Sequence, residues 1–286
     1  MTLSAKLDFK INKVTGLIYS WKVDNKEYLS SPIRPMFNRA STDIDYIYNR
    51  ANENNSWKSV WNNIKIIEQK IDDSDKSKIS IAQIATLNSK SGVQASLNYT
   101  FYSSGDIILK LELINQVSIK TLPPKCSWYF EVNSGFGTVN WYGRGQFETY
   151  PDRKEGLNLS LYKSNATDFN IQRVRPQEMS NKTDTRWLDL STFEGYHICG
   201  IGLPLMDANV LPYPYDELDG KYLYGVDLKP GKVNSVILGS EIWPMNESLL
   251  EDIKWPLNKT LKAEIRLKAY KADQYQAFQF LLTSLP

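Results

Sequence analysis

Histidine and cysteine are scarce in this sequence, which contains one histidine, His197, and two cysteines, Cys126 and Cys199, among 286 residues. Zinc sites of the usual spacing need several Cys and His ligands, so no metal site is predicted. A Ser-His catalytic pair is disfavoured as well, because the sequence has no Gly-x-Ser-x-Gly motif. Carboxylate pairs are present, but their positions in the sequence do not show whether two of them flank one bond. Both cysteines are expected as buried free thiols, with one disulfide as the alternative.

Glycine-rich phosphate loops, long apolar runs and an excess charge of one sign are also missing. Gly143-Arg144-Gly145 is too short for a dinucleotide-binding loop, so no cofactor is expected in this chain. No apolar run is long enough to cross a membrane, and no signal-peptide core follows Met1. The net charge is only +2, which makes nucleic acid a poor candidate partner. A cytoplasmic location is expected if Met1 is the native start, and the location is otherwise open.

Period-two alternation of apolar and polar residues dominates what is present, and it predicts β-strands. The clearest runs are Leu7–Ile11 near the start and Leu261–Ala269 near the end. Three further sets are predicted to line buried faces: Leu17, Tyr19, Trp21 and Val23; Ala95, Leu97, Tyr99 and Phe101; Ile107, Leu109, Leu111 and Leu113. Many such strands joined by short turns predict an all-β sandwich or barrel.

Helix signals are few. Trp57 and Trp61 stand four residues apart after a polar run and predict a short helix, and Pro214–Leu218 predicts a turn or two more. No repeat or linker interrupts the chain, so residues 1–270 are interpreted as one domain. Residues 271–286 form a tail whose apolar spacing suits either a helix or a docking segment.

Aromatic residues make up 12% of the chain, with 8 Trp and 17 Tyr. Most of these rings are expected in strand packing, and exposed ones would suit sugar rings or a protein partner. From residue chemistry alone the sequence thus indicates an all-β domain with exposed aromatic rings, and sugar binding is one function that this leaves open.

Two long motifs lie between positions 139 and 187. The first reads Val139-Asn140-Trp141-Tyr142-Gly143-Arg144-Gly145-Gln146-Phe147-Glu148-Thr149-Tyr150-Pro151-Asp152-Arg153, and the second reads Val174-Arg175-Pro176-Gln177-Glu178-Met179-Ser180-Asn181-Lys182-Thr183-Asp184-Thr185-Arg186-Trp187. They resemble the signature of the β-galactosidase small-chain domain of glycoside hydrolase family two, in which the second motif is V-x-P-Q-E-x-G-N-[RK]-x-[DG]-x-R-W. The segment 32–45 resembles a third motif of that family, P-x-x-x-x-F-x-R-A-P-T-D-N-D.

The resemblance implies a fold and a partner. In that family this domain is a large antiparallel β super-sandwich of the galactose-mutarotase-like type, and it packs against a separate catalytic (β/α)₈ barrel domain or large subunit. The barrel holds the two glutamates of a retaining mechanism and the usual metal ions. The resemblance therefore implies that this chain supplies no catalytic residue and no metal ligand, and that it helps to complete a pocket for a β-galactoside sugar.

Three residues fall where the family has residues at the edge of the galactose pocket. They are Asp43 and Asp45, in the aspartate loop of the third motif, and Trp243, which follows the segment 236–242 near the end of the resemblance. The face of a tryptophan ring can stack on the apolar side of a galactose ring. The resemblance thus implies substrate contacts for these three residues, whereas the alternatives are turn capping for the aspartates and a core or interface position for the tryptophan.

The other motif residues are interpreted as structural: Trp141, Gly143, Gly145, Glu148, Tyr150, Asp152, Arg153, Arg175, Glu178 and Arg186. The turn at positions 150–153 is expected to hold an Asp–Arg pair, and Arg175, Glu178 and Arg186 are expected to form an ionic cluster.

Three functions compete at this point. The first is a β-galactosidase domain or small subunit that contributes pocket closure and assembly. The second is a non-catalytic carbohydrate-binding or scaffolding domain that no longer serves a galactose pocket. The third, a free-standing aldose epimerase, is disfavoured because the sequence has only His197 and no recognisable epimerase site.

Overall fold

The computed structural model of the chain describes residues 7–58, 60, 64–87, 93–114, 123–218, 228–245 and 260–272. The strands in this part of the chain are β1 (Leu7–Ile11), β2 (Ile18–Val23), β3 (Lys26–Glu27), β4 (Arg34–Met36), β5 (Lys65–Asp72), β6 (Lys78–Thr86), β7 (Gln94–Tyr102), β8 (Asp106–Ile114), β9 (Lys125–Asn133), β10 (Thr138–Arg144), β11 (Leu159–Asn165), β12 (Lys182–Ser191), β13 (Tyr196–Leu211), β14 (Val233–Ile242) and β15 (Thr260–Lys271). The helices are α1 (Asp43–Ile47), α2 (Ala51–Lys58) and α3 (Ala166–Phe169), and a 3₁₀ turn spans Tyr215–Leu218.

The strands form a 3-stranded sheet and a 12-stranded sheet, and all their pairings are antiparallel. The small sheet has the order β1-β2-β3, and the main path of the large sheet is β11-β10-β12-β13-β15-β8-β7-β6-β5. The sheet branches at β13, whose first half pairs with β15 and whose second half pairs with β14. From there β14 continues to β9 and β4. The predicted all-β antiparallel architecture is confirmed.

The core lies between the main path and this branch. Strands β7, β8 and β15 bury alternate residues, and cross-strand partners such as Leu109 and Ile265 stand side by side on the inner face. On the outer face of the same strands Lys262 forms an ion pair of 3.0 Å with Glu112. This division follows from the side-chain period of two, which places neighbouring residues on opposite faces of a strand.

One predicted face is wrong. Tyr19 was expected beside Trp21 and Val23, yet it is exposed while Ser20 is buried. The cause is an irregularity in the β1–β2 pairing, where Lys10 pairs with Ser20 but the next residue pairs with Ile18. Tyr19 is the extra residue of this bulge, so the alternation is interrupted and the ring points away from the core.

The helical and C-terminal predictions fall partly outside the described residues. The short helix around Trp57 is present as α2, and Trp57 packs 5.9 Å from Phe37 between ring centres, whereas Trp61 lies outside the described part. The predicted turn at Pro214–Leu218 is confirmed as the 3₁₀ turn. Strand β15 continues to Lys271, and residues 273–286, which include most of the predicted tail, are not described.

The predicted thiols are confirmed, since Cys126 and Cys199 are both free and buried. None of the helices in the described ranges is long and apolar enough to cross a membrane.

A buried lysine, Lys182, interrupts the apolar packing behind β10. Its Nζ lies 4.5 Å from the ring centre of Phe169 and 5.7 Å from that of Trp141, and it donates a hydrogen bond of 3.3 Å to the carbonyl of Gln146. Loss of hydration lowers the pKa of Lys182 from 10.5 to about 7. The aromatic faces and the carbonyl offset part of that loss, but the folded chain still disfavours the charged form.

Replacing Lys182 by methionine is expected to stabilise the chain at neutral pH and to remove a pH dependence. Between pH 7 and 10.5 the unfolded chain binds a proton at Lys182 that the folded chain has released. The free energy of unfolding of the parent chain should therefore rise with pH in this window, by up to about 1.4 kcal/mol per pH unit. Urea unfolding of both chains at neutral and alkaline pH measures this, and equal pH slopes would contradict it.

Candidate functional site

The loop that leads into α1 brings the two predicted site aspartates into place. Thr42 is the N-cap of α1, and its hydroxyl accepts a hydrogen bond from the backbone N–H of Asp45 at 3.1 Å. The Asp45 carboxylate accepts in return from the N–H of Thr42 at 2.8 Å. This reciprocal capping box fixes the start of the helix and turns Asp45 inward, so that its side chain has no exposed surface.

Arg39 joins this helix to the segment that contains Trp243. Its guanidinium forms a bidentate ion pair with Asp45, with N–O distances of 2.7 and 3.1 Å. The third nitrogen, Nη1, donates to the carbonyls of Trp243 at 3.0 Å and Pro244 at 3.1 Å. Asp45 thus orients Arg39, and Arg39 in turn holds the chain around residue 243 against α1.

Trp243 itself is buried, with 3% of its surface exposed. Its ring centre lies 5.4 Å from the guanidinium carbon of Arg39, and its backbone N–H donates to the carbonyl of Pro124 at 2.9 Å. The ring therefore faces the protein interior rather than an open surface. A direct sugar contact for Trp243 stays a prediction, since its ring is buried in the part of the chain that the structure describes.

Asp43 is the exposed member of the three predicted sugar-contacting residues, with 48% of its side-chain surface accessible. Its carboxylate accepts hydrogen bonds from Arg175 Nε at 2.8 Å and from Gln177 Nε2 at 2.9 Å. The Arg175 guanidinium also lies 4.6 Å from the ring centre of Tyr46 on the same helix. Asp43 can thus accept a hydrogen bond from a ligand hydroxyl while two neighbours hold it in position.

A second buried ion pair lies beside this loop. Lys125 Nζ is 2.9 Å from both carboxylate oxygens of Glu178, and neither side chain has more than 2% of its surface exposed. The Tyr215 hydroxyl donates to Glu178 at 2.8 Å and accepts from the N–H of Ala40 at 2.7 Å. Strand β9, the second motif, the 3₁₀ turn and the loop before α1 are therefore tied together at one carboxylate.

Glu148 plays a similar part in the first motif. One of its oxygens accepts from both Arg153 and Arg173, and the other accepts from the backbone N–H of Ser180 at 2.8 Å. Ser180 has a left-handed backbone with φ of 70°, at the position where the family pattern has glycine. A non-glycine residue rarely adopts this conformation, so the Glu148 contact helps to hold a strained turn.

The two glycines of the first motif allow the backbone to pack closely around Trp141. A side chain at Gly143 would lie 3.3 Å from the Cα of Thr185, and Gly145 has a φ of 55° that favours glycine. The Trp141 indole donates to the carbonyl of Gly145 at 3.3 Å. Tyr150 is fully buried, and its backbone pairs with that of Arg153 to close the predicted turn.

Two details of the predicted ionic contacts are corrected. Arg153 pairs with Glu148, while the carboxylate of Asp152, its expected partner, accepts from the backbone N–H of Met245 at 2.8 Å. Arg175, Glu178 and Arg186 were expected to form one cluster, but they contact Asp43, Lys125 and the backbone carbonyl of Asp184, respectively. Each of the three charged side chains thus has a separate oppositely charged or polar partner, as is usual for buried polar groups.

His197 lies in β13, and its surroundings support a structural role. Its Nδ1 is 2.9 Å from the carboxylate of Asp189, and its ring stacks on Tyr270 with 4.9 Å between centres. The Tyr270 hydroxyl donates to the other oxygen of Asp189 at 3.2 Å. Burial raises the pKa of Asp189, and its hydrogen bonds to His197 and Tyr270 oppose that rise.

The loop site is defined here as Arg39, Asp43, Asp45, Lys125, Arg175, Glu178 and Trp243. Each of its carboxylates has a basic partner, so the arrangement suits the positioning of loops better than proton transfer. No group of three or more Asp, Glu, His or Cys residues within the described ranges could hold a metal ion.

The sequence alone did not identify Arg39 and Lys125 as members of this site, nor Tyr215 as a hydrogen-bond partner of Glu178. Arg39 stands inside the third motif and could have been singled out from its place beside the aspartate loop. Lys125 and Tyr215 lie outside the motifs, at 53 and 37 residues from Glu178, and no local pattern marks them.

Comparison with known proteins gives the same family as the motifs. The family model described as the β-galactosidase small chain matches residues 4–239. A β-galactosidase from Priestia megaterium is 30% identical over 209 residues, which are 73% of this chain and 20% of the relative. A β-galactosidase from Halalkalibacterium halodurans is 24% identical over 218 residues, or 74% of this chain and 21% of the relative. The chain thus spans about a fifth of the length of these relatives.

The fold also has a match among solved structures. Galactose 1-epimerase from Lactobacillus acidophilus NCFM superimposes with a TM-score of 0.55 over 93% of this chain and 92% of the epimerase chain, at 8% identity. At this identity the likeness concerns the fold alone, and it confirms the predicted galactose-mutarotase-like sandwich.

Proposed function

The chain belongs to the β-galactosidase small-chain family, and from this premise we propose that it is the C-terminal domain or small subunit of a retaining β-galactosidase of glycoside hydrolase family two. In this proposal its partner is a catalytic (β/α)₈ barrel that supplies both glutamates and any metal ions. The chain completes the galactose pocket and stabilises the assembly.

The loop site supports this proposal through one observation above all. Arg39 binds the carboxylate of Asp45 and the carbonyl of Trp243. The resemblance implies that the two segments containing these residues lie at the edge of the galactose pocket. The charged side chains of the loop site form ion pairs with one another, and the side chain of Asp43 is partly exposed. A preformed rim with one outward acceptor suits a domain that closes a pocket built elsewhere.

The size of the chain supports the proposal that the catalytic groups lie in another domain. Since it spans about a fifth of its curated relatives, most of such an enzyme would lie in other domains. Retaining glycosidases place two carboxyl groups about 5–5.5 Å apart across the scissile bond. The carboxylates of the loop site are instead neutralised by Arg39, Lys125 and Arg175.

The isolated chain is expected to show no hydrolysis of nitrophenyl β-galactoside, and the same chain joined to or mixed with its barrel partner is expected to be active. The assay compares the purified chain, the barrel partner alone and the two together, and size-exclusion chromatography measures their association. Robust turnover by the purified chain would overturn the proposal, as would a barrel partner whose activity and stability do not depend on this chain.

A second candidate is a carbohydrate-binding or scaffolding domain without a role in the catalytic pocket. The burial of Trp243 and Asp45 favours it, because neither side chain presents a surface to a sugar in the chain alone. The same assay separates the two functions: a scaffolding domain would restore the stability of the barrel partner but leave its Michaelis constant for galactosides unchanged.

A further inference from the structure

A pocket of about 280 Å³ opens beside β10, β11 and α3, and it shares no lining residue with the loop site. Four aromatic residues line it, Trp141, Phe147, Tyr162 and Phe169. Phe147 is exposed and Tyr162 partly exposed, whereas Trp141 and Phe169 are buried. The other lining residues are Ile171 and the polar Gln146, Lys163, Ser164 and Asp168. An aromatic floor beside a small number of polar groups is the usual construction of a small-molecule site.

The aromatic floor is held rigidly by the strands. Trp141 on β10 is the register partner of Tyr162 on β11, and the two rings stack with 5.3 Å between centres and 23° between planes. Phe169 meets Trp141 edge-on at 5.1 Å. The Tyr162 hydroxyl is fixed by a hydrogen bond of 2.8 Å to the carbonyl of Asn158. A ligand would therefore meet a preformed surface and would not have to order it.

On the polar side of the pocket, the Asp168 carboxylate has an oxygen that can accept a further hydrogen bond. Asp168 Oδ2 accepts from Asn165 Nδ2 at 2.6 Å, and the Asp168 N–H donates to Asn165 Oδ1 at 2.7 Å, which fixes the start of α3. Among the described residues no hydrogen-bond donor contacts the second oxygen, Oδ1. Phe147, an apolar lining residue, has 58% of its surface exposed.

We propose that this pocket is a second binding site for a neutral pyranose, with the sugar ring against Phe147 and Tyr162 and a hydroxyl donated to Asp168. A pyranose has an apolar C–H face and a hydroxyl edge, which match the two sides of the pocket. Ligand pockets for larger molecules span about 300–1,000 Å³, so this volume fits one ring rather than an extended chain. The site does not depend on the catalytic pocket of the proposed enzyme.

The test is binding of sugars to the purified 286-residue chain, followed by ¹⁵N NMR titration of the backbone amides. Galactose, glucose and lactose are expected to cause saturable shifts at residues around the pocket, and open-chain galactitol, which has no ring face, is expected to cause none. Phe147→Ala removes the exposed wall and should weaken binding by at least about fivefold. Phe193→Ala, at a fully exposed phenylalanine outside the pocket, is the matched control and should leave binding unchanged.

Asp168→Asn provides an independent arm, because it keeps the shape of the side chain and removes its negative charge. Weaker sugar binding with unchanged amide spectra away from α3 supports the proposal. The proposal is overturned if no sugar gives saturable shifts at the pocket, if Phe147→Ala binds as tightly as the parent, or if galactitol binds as well as galactose. Because the readout is direct binding, its failure is distinguishable from a failure of the galactosidase assay.

Discussion

Replacing Glu178 by alanine is expected to lower the free energy of unfolding by about 3–5 kcal/mol, one of the largest effects that a single substitution in this chain can have. The reason is that Lys125, with 2% of its side chain exposed, would remain buried without its carboxylate. Attraction in the interior offsets the cost of removing both charges from water only while the two partners are together.

Glu178 also belongs to a chain of buried hydrogen bonds. Its second oxygen accepts from Tyr215, and the Tyr215 hydroxyl accepts from the N–H of Ala40. Removing the carboxylate therefore removes a buried acceptor of the Tyr215 hydroxyl. The loop before α1 should loosen together with the 3₁₀ turn, so hydrogen exchange at Ala40 is expected to become faster.

One control breaks a different ion pair, and a second removes both charges of the Lys125–Glu178 pair. Glu112→Ala breaks the pair with Lys262, whose lysine is 58% exposed, and should cost less than about 1 kcal/mol. The double variant Lys125→Met with Glu178→Leu should be more stable than Glu178→Ala, since no charge is left unpaired. Urea unfolding followed by circular dichroism measures all three, and a loss below about 1 kcal/mol for Glu178→Ala would contradict the assignment.

The strands could be predicted because their pattern is local. Leu109, Leu111 and Ile265 are apolar at alternate positions, and this is enough to assign the inner face without knowing the partner strand. Tyr19 could not be assigned in this way, because its exposure depends on how β2 pairs with β1. A bulge is a property of two strands together, and one strand's pattern does not contain it.

The site could be located from its motifs but its contacts could not be read from them. Asp45 and Trp243 were identified as neighbours of one pocket, and the structure connects their segments through Arg39. The residue that makes the connection is 204 positions from Trp243, a separation that no periodic pattern spans. The burial of Asp45 could not be predicted for the same reason: an aspartate after a turn is usually solvated, and here the capping box with Thr42 and the ion pair with Arg39 together hold it inside.

The remaining prediction concerns Trp243 in the complete enzyme. If its ring stacks on galactose, Trp243→Leu should raise the Michaelis constant by about tenfold, on a contribution of ~1.4 kcal/mol from the aromatic face. Leucine retains much of the buried apolar volume, so the backbone of the loop and its hydrogen bonds to Arg39 should persist. Alanine is less informative, because an exposure of 3% means that a cavity would form and cost about 3–5 kcal/mol of stability by itself.

The control for Trp243→Leu is Trp57→Leu, a second tryptophan with 7% exposure that packs on Phe37 and lies outside the loop site. Both variants lose a buried ring, so a difference between their Michaelis constants reports the sugar contact rather than a general loss of packing. An unchanged Michaelis constant in Trp243→Leu, with a lowered melting temperature, would mean that Trp243 packs the loop that Arg39 and Asp45 hold. In that event Asp43, with its partly exposed carboxylate, would be the remaining residue among the three that can reach a sugar from this domain.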